Sequence, residues 1–262
     1  MPAPDGQFIW YELLTSDVPA AEAFYRSVVG WQAAPADVAG MAYTRFSAGA
    51  TPVAGLMELP EEARASGGRP GWIGHIAVDD VDAFARRVSE DGGAIHRPPA
   101  DSPGIGRFAV AADPHGAAFV LFAPGLPSDG SRPPPVGSTA PGNVGWRELH
   151  AGDRVTDFAF YSGLFGWTPT EAIDLGPMGL YQLFAMGGEQ AEGGLMTKPP
   201  QMQGPPMWLY YFTVEGIDAA AARVTEAGGQ VLNGPHQVPG GAWILHGLDP
   251  QGALFALTTA DR

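Results

Sequence analysis

Glu12, Glu148 and His150 are the residues whose types and spacing could move a proton. Side chains alternate along an extended strand, so Trp146, Glu148 and His150 share one face if residues 144–151 are a strand. A carboxylate beside an imidazole can act as a general base. Together with a second histidine the pair could hold iron or zinc. His75 and His246 lie in apolar runs and are the histidines available for that purpose. Trp10 and Trp146, two positions before the glutamates, offer flat surfaces on which an aromatic ligand could stack. Cysteine is absent, which excludes thiolate catalysis, disulfides and cysteine-ligated zinc.

The elements that must position these residues occur twice. Residues 8–31 (FIWYELLTSDVPAAEAFYRSVVGW) and residues 144–167 (VGWRELHAGDRVTDFAFYSGLFGW) align at a constant offset of 136. Trp10 meets Trp146, Glu12 meets Glu148, Asp17 meets Asp153 and Phe24-Tyr25 meets Phe160-Tyr161. Further on, Trp72–Val78 meets Trp208–Val214, and Asp113-Pro114-His115-Gly116 meets Asp249-Pro250-Gln251-Gly252. A match of bulky, charged and turn residues at one offset is an internal duplication.

Each copy reads as strand, helix, then short strands, given twice. Asp17 can cap a helix in which Ala21, Phe24, Tyr25 and Val28 form the apolar face and which Gly30 ends. Val81, Phe84, Ala85 and Val88 repeat that spacing before Gly92-Gly93, and Ile217, Ala220, Ala221 and Val224 do so before Gly228-Gly229. The glycine in the strand 53–58 marks a bulge or a close approach of another group. Residues 60–71 read as a loop, and 196–207, rich in methionine and proline, as a longer one that could cover an apolar cavity. Residues 125–142 are almost wholly proline, glycine and small residues and read as a linker. The expected domains are therefore 1–124 and 143–262.

The strand opening on Asp and FYxxxxGW, the GHIAVDDVD step and the DPxG turn resemble the vicinal oxygen chelate superfamily. That superfamily includes glyoxalase I, bleomycin-resistance proteins and extradiol dioxygenases. The resemblance covers nearly everything except the linker. It implies an α+β protein of two tandem glyoxalase-like domains, each of paired βαβββ modules whose mixed sheets curl around a cavity. It also implies a divalent metal held by side chains from several strands. Carried over position by position, those ligands fall on Trp10, Met57, His75 and Val120 in the first domain. In the second they fall on Trp146, Met196, Tyr211 and Ala256. Only His75 is a usual ligand for such a cation. A displaced site remains as an alternative, with Glu148 and His150 joining His246 and Tyr211, or joining His75 in a domain-exchanged pairing of the glyoxalase type.

The function expected from this reading is binding of an apolar or aromatic small molecule in a cavity lined by tryptophan and methionine. Trp10, Glu12, His75, Trp146, Tyr211 and His246 would contact the ligand, Glu148 and His150 are the candidate catalytic pair, and no metal or other cofactor is expected. The alternative is a metal-dependent lyase or dioxygenase using the displaced site. A net charge of −14 disfavours nucleic acid and anionic lipid. No apolar run is long enough to span a bilayer and the first residues do not read as a secretory signal, so a cytoplasmic monomer or homodimer is expected.

Overall fold

The computed structural model describes residues 5–38, 40–125 and 139–262. Most of the expected linker, residues 126–138, lies outside the described residues. Among the described residues, sixteen strands form two eight-stranded sheets. The first comprises β1 (Phe8–Thr15), β2 (Gln32–Val38), β3 (Met41–Ala48), β4 (Thr51–Glu58), β5 (Gly71–Ala77), β6 (Ala94–Ser102), β7 (Gly106–Ala112) and β8 (Ala118–Pro124). Its strand order is β2-β3-β4-β1-β5-β8-β7-β6. The second comprises β9 (Val144–Ala151), β10 (Thr168–Asp174), β11 (Leu180–Ala185), β12 (Gly193–Thr197), β13 (Met207–Thr213), β14 (Gln230–Gln237), β15 (Trp243–Leu248) and β16 (Leu254–Thr259). Its order, β10-β11-β12-β9-β13-β16-β15-β14, repeats the first. Within each module the first strand runs parallel to the last, as β1 does to β4 and β13 to β16, and the rest form an antiparallel meander. These are the mixed sheets and the α+β class expected from the sequence.

The helices are α1 (Val18–Val28), α2 (Glu61–Ala65), α3 (Val81–Glu90), α4 (Arg154–Phe165) and α5 (Ile217–Glu226). Asp17 caps α1 by accepting from the Ala20 amide at 3.0 Å, and Asp153 caps α4 through the Val155 and Thr156 amides. Ala21, Phe24, Tyr25 and Val28 are buried, as their spacing predicts. On α5 the expected face is narrower: Ile217, Ala220 and Val224 are buried and Ala221 only half so. The stretch 60–71, expected as a loop, contains α2, because Glu61 and Glu62 suit the positive end of a short helix following Pro60. Among the described residues no helix is long and apolar enough to cross a membrane.

Packing divides the chain into two compact units that each combine sequence from both copies. One unit holds residues up to Ile9, those from Gly74 through β8, and Arg147–Trp208. The other holds Trp10–Ile73, the stretch ending at Trp146, and Leu209–Arg262. The same aromatic lock closes each. In the first, the Tyr161 hydroxyl donates to Asp113 Oδ2 at 3.2 Å and accepts from Trp208 Nε1 at 2.9 Å. In the second, the Tyr25 hydroxyl donates to Asp249 at 3.2 Å and accepts from Trp72 Nε1 at 2.9 Å. Burial, then the facing carboxylate, raises both tyrosines well above their ordinary pKa, so each hydroxyl stays neutral and donates. Trp72 and Trp208, which match at the offset of 136, are therefore parts of these locks. Trp31 and Trp167, which follow the glycines after α1 and α4, are packed in the core. They are 3% and 2% exposed, and each donates at 2.7 Å to a backbone carbonyl, of Gly142 and Gly6 respectively.

Candidate functional sites

Alternation along β1 sorts its side chains. Tyr11 and Leu13 are buried, whereas Trp10, Glu12 and Leu14 are half-buried on the opposite face. Trp10 Nε1 donates to the Tyr43 hydroxyl at 2.9 Å. Tyr43, on β3, is held well above the usual tyrosine pKa by burial and then by the charge and hydrogen bond of Glu12. Between them lies β4, where Gly55 stands opposite Glu12. A side chain at Gly55 would overlap the Tyr43 hydroxyl. The glycine is the close approach expected from the sequence: it lets a tyrosine reach across one strand to a glutamate.

The other unit builds the same crossing. Gly194 on β12 stands opposite Glu148 on β9, and any Cβ there would overlap the Tyr181 ring. The Tyr181 hydroxyl donates to Glu148 Oε2 at 2.9 Å. His150 adds what the first copy lacks, since Leu14 occupies its equivalent place. Its Nε2 lies 3.0 Å from Glu148 Oε1, and the two side chains are 4% and 12% exposed. Neither ring nitrogen makes an aligned hydrogen bond. Met196, one of the inherited metal-ligand positions, lies opposite His150 in the register and is buried.

Tyr211 and His246 are brought together in the unit that contains Trp10. Tyr211 on β13 is opposite Ala256 on β16, and Ala256 is opposite His246 on β15. Over that alanine the Tyr211 hydroxyl lies 2.8 Å from His246 Nε2. Around the row is an apolar cluster of Leu209, Tyr211, Ile244 and Ala256, with Trp146, Val238 and Leu254 packed against it. His75 stands opposite Val120 and meets the edge of Phe122, ring centres 5.7 Å apart. The register thus pairs the inherited fifth-strand and final-strand metal positions, as His75 with Val120 and as Tyr211 with Ala256. A valine and an alanine stand where a carboxylate is needed, so this donor set does not fit a hard divalent cation. Among the described residues, no three His, Asp or Glu side chains stand together in a group able to hold a metal ion.

Tyr43 and Tyr181 were not singled out from the sequence. They stand 138 apart rather than 136, because the loops before them differ in length, so the repeat alignment slides past them. His115, at its DPxG turn, is exposed, with Nδ1 2.5 Å from Asp157 Oδ1. Asp157 is fully buried on α4 and also accepts from the Gly152 amide. The hydrogen bond to Asp157 raises the His115 pKa above 6.5, against a smaller opposing effect of burial. A folded pKa above the unfolded one adds stability that is fully present below pH 6.5 and lost as pH rises through the folded value. Thermal midpoints should therefore fall more steeply as pH rises above about 6.5 in the wild type than in His115→Gln, which carries the residue found at Gln251. Parallel slopes for the two proteins would show that the ion pair contributes nothing.

Comparison with known proteins agrees with this architecture. The chain is 33% identical over 253 residues to the provisionally named glyoxylase CFP32 of Mycobacterium tuberculosis, covering 95% of this chain and 92% of the relative. It is 32% identical over 259 residues to the anthracycline biosynthesis protein DnrV of Streptomyces peucetius, covering 95% and 91%. Among solved structures, the Mn(II)-bound glyoxalase from Novosphingobium aromaticivorans superposes with a TM-score of 0.66 at 19% identity, covering 99% of this chain and 83% of that one. The 2,3-dioxygenase LapB from Pseudomonas sp. KL28 gives 0.64 at 14% identity, covering 100% and 93%. At such identities these two likenesses speak to the fold alone. Residues 7–121 and 154–257 match the family described as the Glyoxalase/Bleomycin resistance protein/Dioxygenase superfamily, and the chain belongs to that superfamily.

Proposed function

We propose that the protein binds an apolar or aromatic small molecule on its tryptophan-bearing sheet faces, without the divalent metal common in its superfamily. The observation that carries this reading is the Tyr211–Ala256–His246 row. At two of the superfamily's metal positions stand Tyr211 and Ala256, with the tyrosine hydroxyl hydrogen-bonded across the alanine to His246 in an apolar cluster that has Trp146 beside it. Pockets for small molecules have this composition, mostly apolar with a few placed polar groups. The relative DnrV is named for anthracycline biosynthesis, and anthracyclines are flat, fused-ring aromatic compounds, the shape an indole face accepts. The expected domains, 1–124 and 143–262, are retained as the duplicated sequence units. The acidic surface suits a cytoplasmic protein acting without nucleic acid.

Two measurements test this. Metal analysis of protein purified without a metal-affinity tag should find no stoichiometric transition metal. A full equivalent of manganese, iron or zinc would instead establish the displaced-site lyase or dioxygenase. Titration with anthraquinone, followed by tryptophan fluorescence, should show binding. Trp146→Ala and Tyr211→Phe should each weaken it about tenfold, a loss of about 1.4 kcal/mol, within the range for a stacked ring or a hydrogen bond. Unchanged affinity in both variants would remove the row from the binding site.

A further inference from the structure

The two DPxG turns are built alike and differ in what stands beside them. Asp113 Oδ1 accepts from the His115 and Ala117 amides at 3.0 and 2.9 Å. Asp249 Oδ1 accepts from the Gln251 and Ala253 amides, both at 2.9 Å. The second oxygen of each takes the hydroxyl of its locking tyrosine at 3.2 Å. Only the first turn has an ion pair against it. His115 Nδ1 lies 2.5 Å from Oδ1 of the fully buried Asp157, whose Oδ2 accepts from the Gly152 amide at 2.9 Å. The equivalent places in the other copy hold Gln251 and Ala21, neither of them charged. The ring is seated on backbone as well, since a Cβ at Gly152 would overlap it. The other copy has Ser16 at that position. Charged groups facing the ring are Asp157 on α4, Asp113 on its own turn and Asp153 at the cap of α4. All of them belong to one compact unit, and Gln251 and Ala21 belong to the other.

We propose that His115, Asp157 and Asp113 form a proton-operated latch, through which one compact unit opens locally as pH rises above neutral while the other stays closed. With the imidazole protonated, its charge offsets the buried Asp157 carboxylate. When that proton leaves for solvent, two neighbouring carboxylates remain, one of them fully buried. Removing one partner of a buried ion pair is costly because the remaining charge is uncompensated. Asp113 already carries the mark of this crowding: burial and then the charge of Asp157 raise its pKa, whereas for Asp249 the raising cause is burial alone. Opening the turn brings the carboxylates into water and releases the Tyr161 hydroxyl from Asp113. The sign follows from linkage. His115 holds its proton more tightly in the closed form than in the open one, so rising pH shifts the local equilibrium toward the open form. A thermal midpoint reports the ion pair but not where it acts, and the latch confines the loss to one unit.

Hydrogen exchange of the full chain, read by mass spectrometry and corrected for the intrinsic pH dependence of exchange, tests this. Peptides covering 110–122 and 150–165 report the latch, and those covering 246–258 and 14–29 are the internal control. Relative to the control, protection at the latch should fall about tenfold or more between about pH 6 and about pH 8.5. The midpoint of that fall should coincide with the titration of the His115 ring followed by proton NMR. His115→Gln should abolish the relative fall, and it carries the residue with which the second turn already folds. Asp157→Asn, which keeps a hydrogen-bond acceptor and removes the charge, should abolish it too and lower the His115 titration midpoint. If Asp157→Asn does not fold, His115→Gln decides alone. Four outcomes overturn the proposal: no relative change in the wild type, an equal loss of protection at both turns, a relative fall that persists in His115→Gln, or a midpoint that differs from that of the His115 ring.

Discussion

Replacing Trp167 with alanine lowers stability by about 3–5 kcal/mol, the range for emptying a buried tryptophan site. Trp167 is 2% exposed and stands in a stack of rings. Phe184 lies parallel on one side with centres 4.6 Å apart, and Tyr161 lies parallel at 5.1 Å. Trp208 meets it edge-on at 5.8 Å. Alanine leaves these rings facing a void that a close-packed interior only partly collapses. It also strands the Gly6 carbonyl, which accepts the indole N–H at 2.7 Å. Gly6 cannot follow the shrinking side chain. It sits at φ +85°, and its α-carbon is pressed so close to Phe165 that a Cβ would lie 2.7 Å from that residue's carbonyl oxygen. A drop in thermal midpoint of about 10 °C is expected from such a loss in a chain of this size. Trp167→Phe separates the contributions, because it keeps much of the stack and forfeits the hydrogen bond. It should lose about half as much or less. Equal losses in both variants would mean that the ring stack contributes little and that the bond to Gly6 dominates.

The capping aspartates, the buried helix faces and the DPxG turns were legible in sequence, each fixed by a few neighbouring residues and seen twice. The assembly of the modules was not legible, and the duplication itself is the reason. Tyr25 could lock to Asp113 or to Asp249, and both aspartates sit in the same DPxG turn. In the structure Tyr25 takes Asp249, from the other copy, and Tyr161 takes Asp113. That choice depends on differences the repeat pattern averages away, such as Asp157 against His115 where the other copy has Ala21 and Gln251. The candidate sites were half legible for a related reason. Strand parity correctly put Glu148 and His150 on one face. The tyrosine that reaches Glu148 comes from two strands away, at a distance set by register and by a glycine, which no spacing along one strand encodes.

Gly194→Ala should destabilise the protein by about 2–4 kcal/mol although it adds one methyl group to a strand. Gly194 has no left-handed backbone angle, so alanine is conformationally acceptable there, and in a strand it would ordinarily be the more stable residue. The cost is steric and polar. The new Cβ would overlap the Tyr181 ring, which must leave its place or push β12 away from it. Overpacking costs about 1–3 kcal/mol, and breaking the hydrogen bond to the Glu148 carboxylate about 1.5–3 kcal/mol. Part of this is recovered by relaxation and by the better strand propensity of alanine. A double-mutant cycle isolates the cause. Tyr181→Ala alone removes the bond, and adding Gly194→Ala to it should then cost nothing or stabilise slightly, because the space beside residue 194 is empty. Urea unfolding of the four proteins should give a coupling energy of about 2 kcal/mol or more, and simple additivity would show that the tyrosine does not lie across the glycine. The first copy supplies a comparison. At Gly55 the overlapping group is the hydroxyl end of Tyr43, half-buried as Tyr181 is, so Gly55→Ala should cost a similar amount. It should do so while releasing the Trp10 indole N–H from the Tyr43 hydroxyl, a change visible as a shift in the tryptophan emission. A much smaller effect at Gly55 than at Gly194 would mean that the second copy holds its tyrosine more rigidly than the first.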